Sequence, residues 1–120
     1  MSVKINNSYG TVEITSDVIA TVVGGAATEV FGIVGMASRH QVRDGISEIL
    51  NRENYSRGVI VRQENDEVII DVYIITQYGI KISEVSKNVQ ERVSYQLKST
   101  FNLEPKSVNV FVQSVRVPAE

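Results

Sequence analysis

The stretch VIVRQENDEVIIDVYIITQ, residues 59–77, decides the fold of this chain. Two segments rich in valine and isoleucine flank Asn65-Asp66, and both of these residues favour turns. If Glu64 pairs with Glu67, the two segments agree on which residues face inward, and this agreement supports the register. The stretch therefore predicts an antiparallel β-hairpin with one strongly aliphatic face.

A helix and a further strand follow the hairpin towards the C-terminus. Residues 82–101 repeat apolar side chains at helical spacing, with Ser83 as the predicted N-cap and Asn102 as the end of the helix. Residues 107–117 alternate as a strand, but their parity changes after Val112, which predicts a bulge near Gln113-Ser114. The inner stripe of the predicted helix comprises Ile82, Val85, Val89, Val93, Leu97 and Phe101.

The N-terminal half predicts one strand and two helices. Residues 10–14 alternate as a short strand, and Thr15-Ser16-Asp17 supplies an N-cap for a helix over residues 17–31. Gly24 and Gly25 lie inside that helix, where each costs about 1 kcal/mol relative to alanine, so we expect close approach of a strand or another helix there. Residues 42–52 predict a second amphipathic helix. The predicted buried rows of the first helix are Val18, Val22, Ala26, Val30 and Ile19, Val23, Ala27, Phe31.

These elements give the order β-α-α-β-β-α-β within one domain, residues 1–120. The order predicts an α+β fold of two layers, in which a mixed or antiparallel sheet is backed by helices. The same order through the sixth element occurs in KH domains of type I. The predicted topology is therefore KH-like.

Composition narrows the possible functions. The chain has 120 residues, a net charge of −2, no cysteine and a single histidine, His40. Disulfides and thiolate metal sites are therefore excluded, and one histidine without a paired acidic cluster does not make a metal site. No apolar signal segment and no membrane-spanning run is visible, since Asp71 interrupts the best candidate. We expect a cytoplasmic protein without catalytic or metal-binding residues.

The second face of the predicted sheet suggests a protein interaction. In the register above it exposes apolar side chains that two layers would leave uncovered: Ile60, Ile69, Tyr73, Ile75 and Phe111. Either the helix over residues 42–52 covers them or another protein does. If another protein does, Ile75→Lys should leave the monomer folded and abolish assembly. Asp71 lies on the same face, diagonal to Arg62, and we expect the two to pair.

Three stretches resemble the alkaline shock protein family, small cytoplasmic proteins of Gram-positive bacteria that are linked to cell-envelope stress. They are Gly10-Thr11-Val12-Glu13-Ile14-Thr15 with Val18-Ile19, then Ala26-Ala27-Thr28-Glu29-Val30-Phe31-Gly32-Ile33-Val34-Gly35-Met36, and a third set that runs from Tyr78-Gly79-Ile80-Lys81-Ile82 through Val89-Gln90 to the segment from Val108 to Val115. The resemblance implies a non-enzymatic protein without cofactor or small-molecule substrate. It also implies self-association or docking to a membrane-anchored protein. The chain ends at Pro118-Ala119-Glu120, so we do not expect partner binding through a C-terminal extension.

Gly32-Ile33-Val34-Gly35 supports a competing hypothesis. It matches the GxxG loop with which KH domains clamp a nucleic-acid backbone. Arg39, His40 and Arg43 follow, where their side chains would meet phosphates. The two residues between the glycines are aliphatic, however, whereas such loops usually carry a basic or polar residue there. A turn with a purely structural role is the simpler interpretation of Gly32 to Gly35, and RNA binding is the alternative. An enzyme is the least favoured class, because no nucleophile has an adjacent base.

Overall fold

The fold comes from a computed structural model that describes residues 2–38, 49–50 and 52–117. The strands are β1 (Ser2–Asn7), β2 (Gly10–Thr15), β3 (Ile33–Ala37), β4 (Ile49–Leu50), β5 (Val59–Glu64), β6 (Glu67–Gln77) and β7 (Ser107–Arg116). The α-helices are α1 (Ser16–Thr28) and α2 (Ile82–Phe101), and a 3-10 helix spans Arg52–Gly58. The predicted fold class is confirmed, because a mixed sheet is backed by helices.

The β5–β6 hairpin has the register that the sequence predicts. Glu64 pairs with Glu67, and Val61 pairs with Ile70. Asn65 and Asp66 both have positive φ, 52° and 67°. A two-residue turn of this kind matches the twist of the strands on either side, and it favours asparagine and aspartate. The turn chemistry and the aliphatic pattern therefore fix the same register.

β6 is the central strand of a five-stranded sheet. β7 runs parallel to it and pairs along residues 69–77. β5 and β3 pair antiparallel with residues 67–72 and 74–76, so they share the other edge of β6, and β4 extends the sheet beyond β3. The predicted bulge in β7 is confirmed: Ile74 pairs with Val112 but Ile75 pairs with Ser114, which leaves Gln113 as the extra residue.

Both α-helices pack on the same face of this sheet. The even-numbered residues of β6, such as Ile70 and Val72, are fully buried against them. α2 ends as predicted, since Asn102 adopts the left-handed conformation with φ 55°. The predicted N-cap is wrong: the helix starts at Ile82, so Ser83 lies inside its first turn and Lys81 occupies the cap without a side-chain hydrogen bond. The main cluster draws on all these elements through Ile19, Val23, Ala27, Met36, Val59, Val61, Ile70, Val72, Ile74, Val89, Val93 and Leu97.

α1 begins as the sequence predicts and ends earlier. The Thr15 hydroxyl accepts a hydrogen bond from the Val18 amide and caps the helix. The last helical residue is Thr28, so Phe31 falls outside the helix and is 85% exposed, which corrects its assignment to a buried row. The close approach expected at the glycines occurs at Gly24 only. A Cβ there would lie 2.7 Å from the Tyr55 Cβ in the 3-10 helix.

The predicted second helix, residues 42–52, lies mostly outside the described residues. Its described part contradicts the prediction, because Ile49–Leu50 is a strand that pairs with β3. The 3-10 helix begins at Arg52. Apolar residues at adjacent positions suit either a helix or a short buried strand, so periodicity alone did not separate the two.

β1 and β2 form an arm that the sequence analysis missed in part. They pair with each other as a separate two-stranded sheet. Val3 is buried in the main cluster, while the Tyr9 side chain at the tip is fully exposed. The Gln63 side chain joins the arm to β5, because its amide accepts from the Lys4 N–H and donates to the Lys4 C=O, both at 3.3 Å. A two-stranded sheet is marginal in water, so these contacts hold the arm in place.

Candidate interaction surface

The candidate surface is the face of the β5–β6–β7 sheet that lies opposite α1 and α2. We call it the open face and define it by Ile60, Arg62, Ile69, Asp71, Tyr73, Asn109 and Phe111. The strand register places these residues in rows across the sheet: Arg62 beside Ile69, Ile60 beside Asp71 and Asn109, and Tyr73 beside Phe111. The sequence brought this set together because alternate residues of a strand share a face.

An aromatic pair occupies one row of the open face. The rings of Tyr73 and Phe111 are stacked, with their centroids 4.9 Å apart and their planes inclined by 17°. Tyr73 is half-buried, while Phe111 is 42% exposed. A stacked pair of this kind contributes about 0.5–1.5 kcal/mol beyond its buried area. The pair therefore presents a rigid apolar surface to solvent without needing a partner to order it.

A polar network spans the two neighbouring rows of the open face. The Asp71 carboxylate accepts hydrogen bonds from the Arg62 guanidinium at 3.2 Å and from the Asn109 side-chain amide at 2.8 Å. Arg62 also contacts Glu64 at 3.2 Å. Asp71 is only 7% exposed, and a buried carboxylate needs such partners. The predicted Arg62–Asp71 pair is confirmed, and its structural role accounts for the acid in this strand.

The remaining predicted contact residues differ in exposure. Ile60 and Ile69 are half-buried and lie on either side of the polar network. Ile75 is fully buried, so the expectation that it is exposed is wrong. It lies in the central strand with Gly35 of β3 on one side and Ser114 of β7 on the other. The parity of a strand shows which face a side chain is on but not whether that face is covered at each point.

The GxxG segment does not form a loop between two helices. Gly32 is a turn residue with φ 96°, and a Cβ there would lie 2.8 Å from the Ile80 Cδ1. β3 begins at Ile33, so Gly35 is a strand residue that pairs with Ile75. The structural interpretation is the one that the geometry fits, and the alternative of a KH-type loop between two helices is not, because the aliphatic residues between the glycines extend the sheet. Arg39, His40 and Arg43 lie outside the described residues.

Sequence reasoning missed a second group of exposed apolar side chains. They gather where β6 and β7 end and α2 begins: the amide of Tyr78 donates to the Arg116 carbonyl at 2.9 Å, and the amide of Gln77 donates to the Gly32 carbonyl at 2.9 Å. Helical spacing assigns Phe31 and Ile82 to apolar rows, but spacing alone does not show that a side chain at the end of such a row stays exposed. The group comprises Phe31, Val34, Tyr78, Ile82, Val115 and Val117.

Across residues 2–38, 49–50 and 52–117, no three or more His, Cys, Asp or Glu side chains gather in a way that could hold a metal ion. Within the same residues, no helix has the length and apolar character needed to cross a bilayer.

Comparison with known proteins identifies the family. The model of the alkaline shock protein 23 family, which is described as having a cell envelope-related function, matches residues 4–117. The uncharacterised protein YloU of Bacillus subtilis (strain 168) is 54% identical over 117 residues, which is 98% of each chain. The uncharacterised protein Spy1614 of Streptococcus pyogenes serotype M6 is 51% identical over 120 residues, which is 100% of this chain and 99% of that protein.

Solved structures are more distant. A MamM-CTD structure superposes with a TM-score of 0.47 and 14% identity over 86% of this chain and 98% of that chain. That likeness is too distant to transfer any property to this chain. The family model and the two relatives agree with the resemblance that the sequence indicated. The chain belongs to the alkaline shock protein family, whose function is cell envelope-related.

Proposed function

We propose that this chain is a non-enzymatic interaction module of cell-envelope stress or homeostasis. It acts in the cytoplasm by self-association, by docking to a membrane-anchored protein, or by both, and it uses the open face for these contacts. The family description supports the link to the envelope. The open face supports the mode of action, because it offers a protein surface rather than a reaction site.

The observation that carries the proposal is the stacked Tyr73–Phe111 pair. Aromatic residues are enriched at the centres of protein interfaces, where they supply large contact areas with little loss of conformational entropy. Here the ring centroids are 4.9 Å apart, and Phe111 stays 42% exposed. Ile60 and Ile69 add half-buried apolar area nearby, and the Asp71 network gives the same face fixed polar groups. An apolar centre with satisfied polar neighbours is what a specific interface requires.

The polar residues of the open face support a binding role over a catalytic one. Asp71 is the acid of the open face, and its carboxylate accepts hydrogen bonds from Arg62 and Asn109. Neither partner is a nucleophile that Asp71 could activate. The network orders the strands and leaves no carboxylate poised for a proton transfer.

Co-sedimentation with native membranes tests docking to a membrane-anchored protein. The full chain is mixed with membranes from its own organism, with the same membranes after protease treatment, and with protein-free vesicles of the same lipids. We expect sedimentation with the untreated membranes only. The variant Phe111→Lys should lose most of it, because a lysine at the centre of an apolar contact stays unpaired.

Tyr95→Lys is the matched control for that experiment. Tyr95 is an exposed aromatic residue of α2, on the other side of the molecule from the open face. The Tyr95→Lys variant should sediment like the unchanged chain. Equal sedimentation of both variants would count against the open face. Binding to protein-free vesicles would show a lipid contact instead. Binding that falls steeply with salt and needs RNA would favour the nucleic-acid alternative.

A further inference from the structure

The outer edge of β7 is the feature from which we infer a specific partner. β7 pairs with β6 along one side, and no strand of residues 2–38, 49–50 or 52–117 pairs with it on the other. An edge strand presents unpaired N–H and C=O groups to any extended chain. Ser107–Val115 carries no charged residue and no proline over its whole length. It therefore lacks the charges that usually protect such an edge.

One hydrogen bond indicates which main-chain groups of β7 face away from β6. The Gln90 side chain of α2 donates to the Val108 carbonyl at 2.9 Å, so a side chain from outside the sheet meets that carbonyl. Groups two residues apart on a strand point the same way, which places the N–H and C=O of Val110 and Val112 on the outer edge. Asn109 and Phe111 then bond to β6.

Beyond the bulge at Gln113 the pattern is consistent with this assignment. The Arg116 carbonyl accepts from the Tyr78 amide at 2.9 Å and so faces β6. The outward groups of Val110 and Val112 are thus bounded by the bulge on one side and by Gln90 on the other. A partner strand has a short, defined place to bind.

We propose that β7 pairs antiparallel with β7 of a second copy of this chain, about a two-fold axis that passes beside Phe111. In this register Val110 of one copy lies opposite Val112 of the other, and such a pair exchanges both of its main-chain hydrogen bonds. Phe111 lies opposite its own counterpart at the non-hydrogen-bonded position, where side chains approach most closely. The inference deepens the proposed function and rests on it, since it names a second copy as one partner and the outer edge of β7, beside Phe111 of the open face, as the place of contact.

The sequence around Phe111 favours a second copy over an unrelated strand. Val110-Phe111-Val112 reads the same in both directions, and Asn109 and Gln113 flank it with similar amides. A two-fold axis places the same segment of both copies opposite each other, so the contact between Val110 and Val112 occurs twice, as in any isologous interface. No like charges meet in the paired segment. At its start, the Lys106 ammonium lies 3.8 Å from the Glu67 carboxylate of its own chain.

The aromatic pair extends across the proposed interface. Phe111 stacks on Tyr73 within one copy. Pairing about Phe111 places the two stacks side by side on one continuous open face, where the two Phe111 rings are neighbours across the axis. Aromatic pairs directly across antiparallel strands contribute roughly 0.2–1 kcal/mol each. The dimer would thus combine main-chain hydrogen bonds with a row of aromatic side chains.

Hydrogen exchange of individual amides tests the strand pairing in the unchanged chain. Exchange rates are measured by NMR over a hundredfold range of protein concentration, with light scattering on the same samples. We expect the Val110 and Val112 amides to exchange at least tenfold more slowly at the highest concentration than at the lowest. The Asn109 and Phe111 amides should be protected throughout, because they bond to β6.

Two results would overturn the inference in different ways. If an oligomer forms but the Val110 and Val112 amides exchange freely within it, the strand pairing is wrong, and the proposed function stands on another contact. If the chain is monomeric at every concentration, a second copy is not the partner. Membrane co-sedimentation of the unchanged chain then separates the cases. If the chain sediments with untreated membranes, the proposed function stands, and if it does not, the proposed function is removed too.

A cysteine cross-link tests the position of the axis. The chain has no cysteine, so Phe111→Cys introduces a single thiol. Cα atoms at a non-hydrogen-bonded antiparallel pair lie about 4.5 Å apart, which is within the range that a disulfide spans. We expect oxidation to form a covalent dimer at least tenfold faster than in Tyr95→Cys, a control on α2 that is 65% exposed. Equal rates would contradict an axis beside Phe111.

Discussion

The two faces of β6 belong to the same strand but have different roles. Even-numbered residues such as Ile70, Val72 and Ile74 are fully buried against the helices. The odd-numbered Ile69 and Tyr73 are half-buried on the open face. Alternation along one strand thus separates side chains that hold the fold together from side chains that are available to a partner. Substitutions on one face should change stability, and those on the other should change association.

Ile75 is the exception to this comparison. Of the substitutions proposed here, Ile75→Lys should cause the largest loss of stability. Its parity assigns it to the open face, yet it is fully buried. An unpaired charge at such a site costs about 3–5 kcal/mol, which is comparable to the whole stability of a small domain. We therefore expect an unfolded or severely destabilised chain rather than a folded monomer. Circular dichroism and urea unfolding measure the loss.

Tyr78→Lys is the control for that prediction. Tyr78 follows the same strand and is 66% exposed, so its replacement should change the free energy of unfolding by no more than about 0.5 kcal/mol. A folded, stable Ile75→Lys chain would show that the burial of Ile75 is not essential. The open face would then extend further along β6 than the structure indicates.

A matched pair of alanine substitutions sharpens the contrast between the faces. Ile74→Ala removes a fully buried side chain on the helix side and should cost about 2–5 kcal/mol of stability. Phe111→Ala removes a partly exposed ring and should cost only about 1 kcal/mol, most of it from the lost stack on Tyr73. Urea unfolding of dilute samples gives both values. Similar losses would mean that the two faces are equally important to the fold.

Asp71→Ala should reduce the stability of the chain by an intermediate amount. It leaves the Arg62 guanidinium and the Asn109 amide without the carboxylate that accepts from both. Because Arg62 is partly exposed, water replaces some of the loss, and we expect a cost of about 1–2 kcal/mol. Glu64→Ala, which breaks only the exposed end of the same network, should fall within about 0.5 kcal/mol. Equal unfolding midpoints for the two variants would show that the buried hydrogen bonds of Asp71 contribute no more to stability than the exposed contact of Glu64.

Gln63→Ala should give the smallest global change, because it acts on the arm rather than on either face. It removes both hydrogen bonds between the Gln63 side chain and the Lys4 backbone. We expect less than about 1 kcal/mol in global stability but clearly faster exchange of the Lys4 amide. Gln96→Ala is a control, since that side chain bonds to Thr100 on the same helix. An unchanged Lys4 exchange rate would mean that the apolar contacts of Val3, Ile5 and Ile14 hold the arm without Gln63.

The sequence predicted those parts of the fold whose local signals agree. Asn65-Asp66 and the aliphatic parity of β5 and β6 give the same hairpin register, and the change of parity in β7 locates the bulge at Gln113. The Arg62–Asp71 pair followed from that register alone. Of the predicted interaction residues, all except Ile75 lie on the open face and keep part of their surface exposed. The Tyr73–Phe111 contact follows from their shared row.

The remainder depends on contacts that no local pattern contains. Ile75 is buried although its neighbour Tyr73 is not, because cover over one face varies along a strand. Gly32 to Gly35 fits a turn or a KH loop by composition, and only pairing with β6 shows that Ile33 begins a strand. Phe31 keeps helical spacing with the apolar rows of α1, but the helix ends before it. Each error arises where tertiary contacts override a short-range preference.

Light scattering after size exclusion, over a concentration series, tests most directly whether the open face is an assembly surface. The unchanged chain is compared with Phe111→Lys and with Tyr95→Lys. We predict that the unchanged chain and Tyr95→Lys grow from monomer to dimer or larger species as concentration rises, while Phe111→Lys stays monomeric and folded. Assembly of Phe111→Lys at the same concentrations as the unchanged chain would contradict the account.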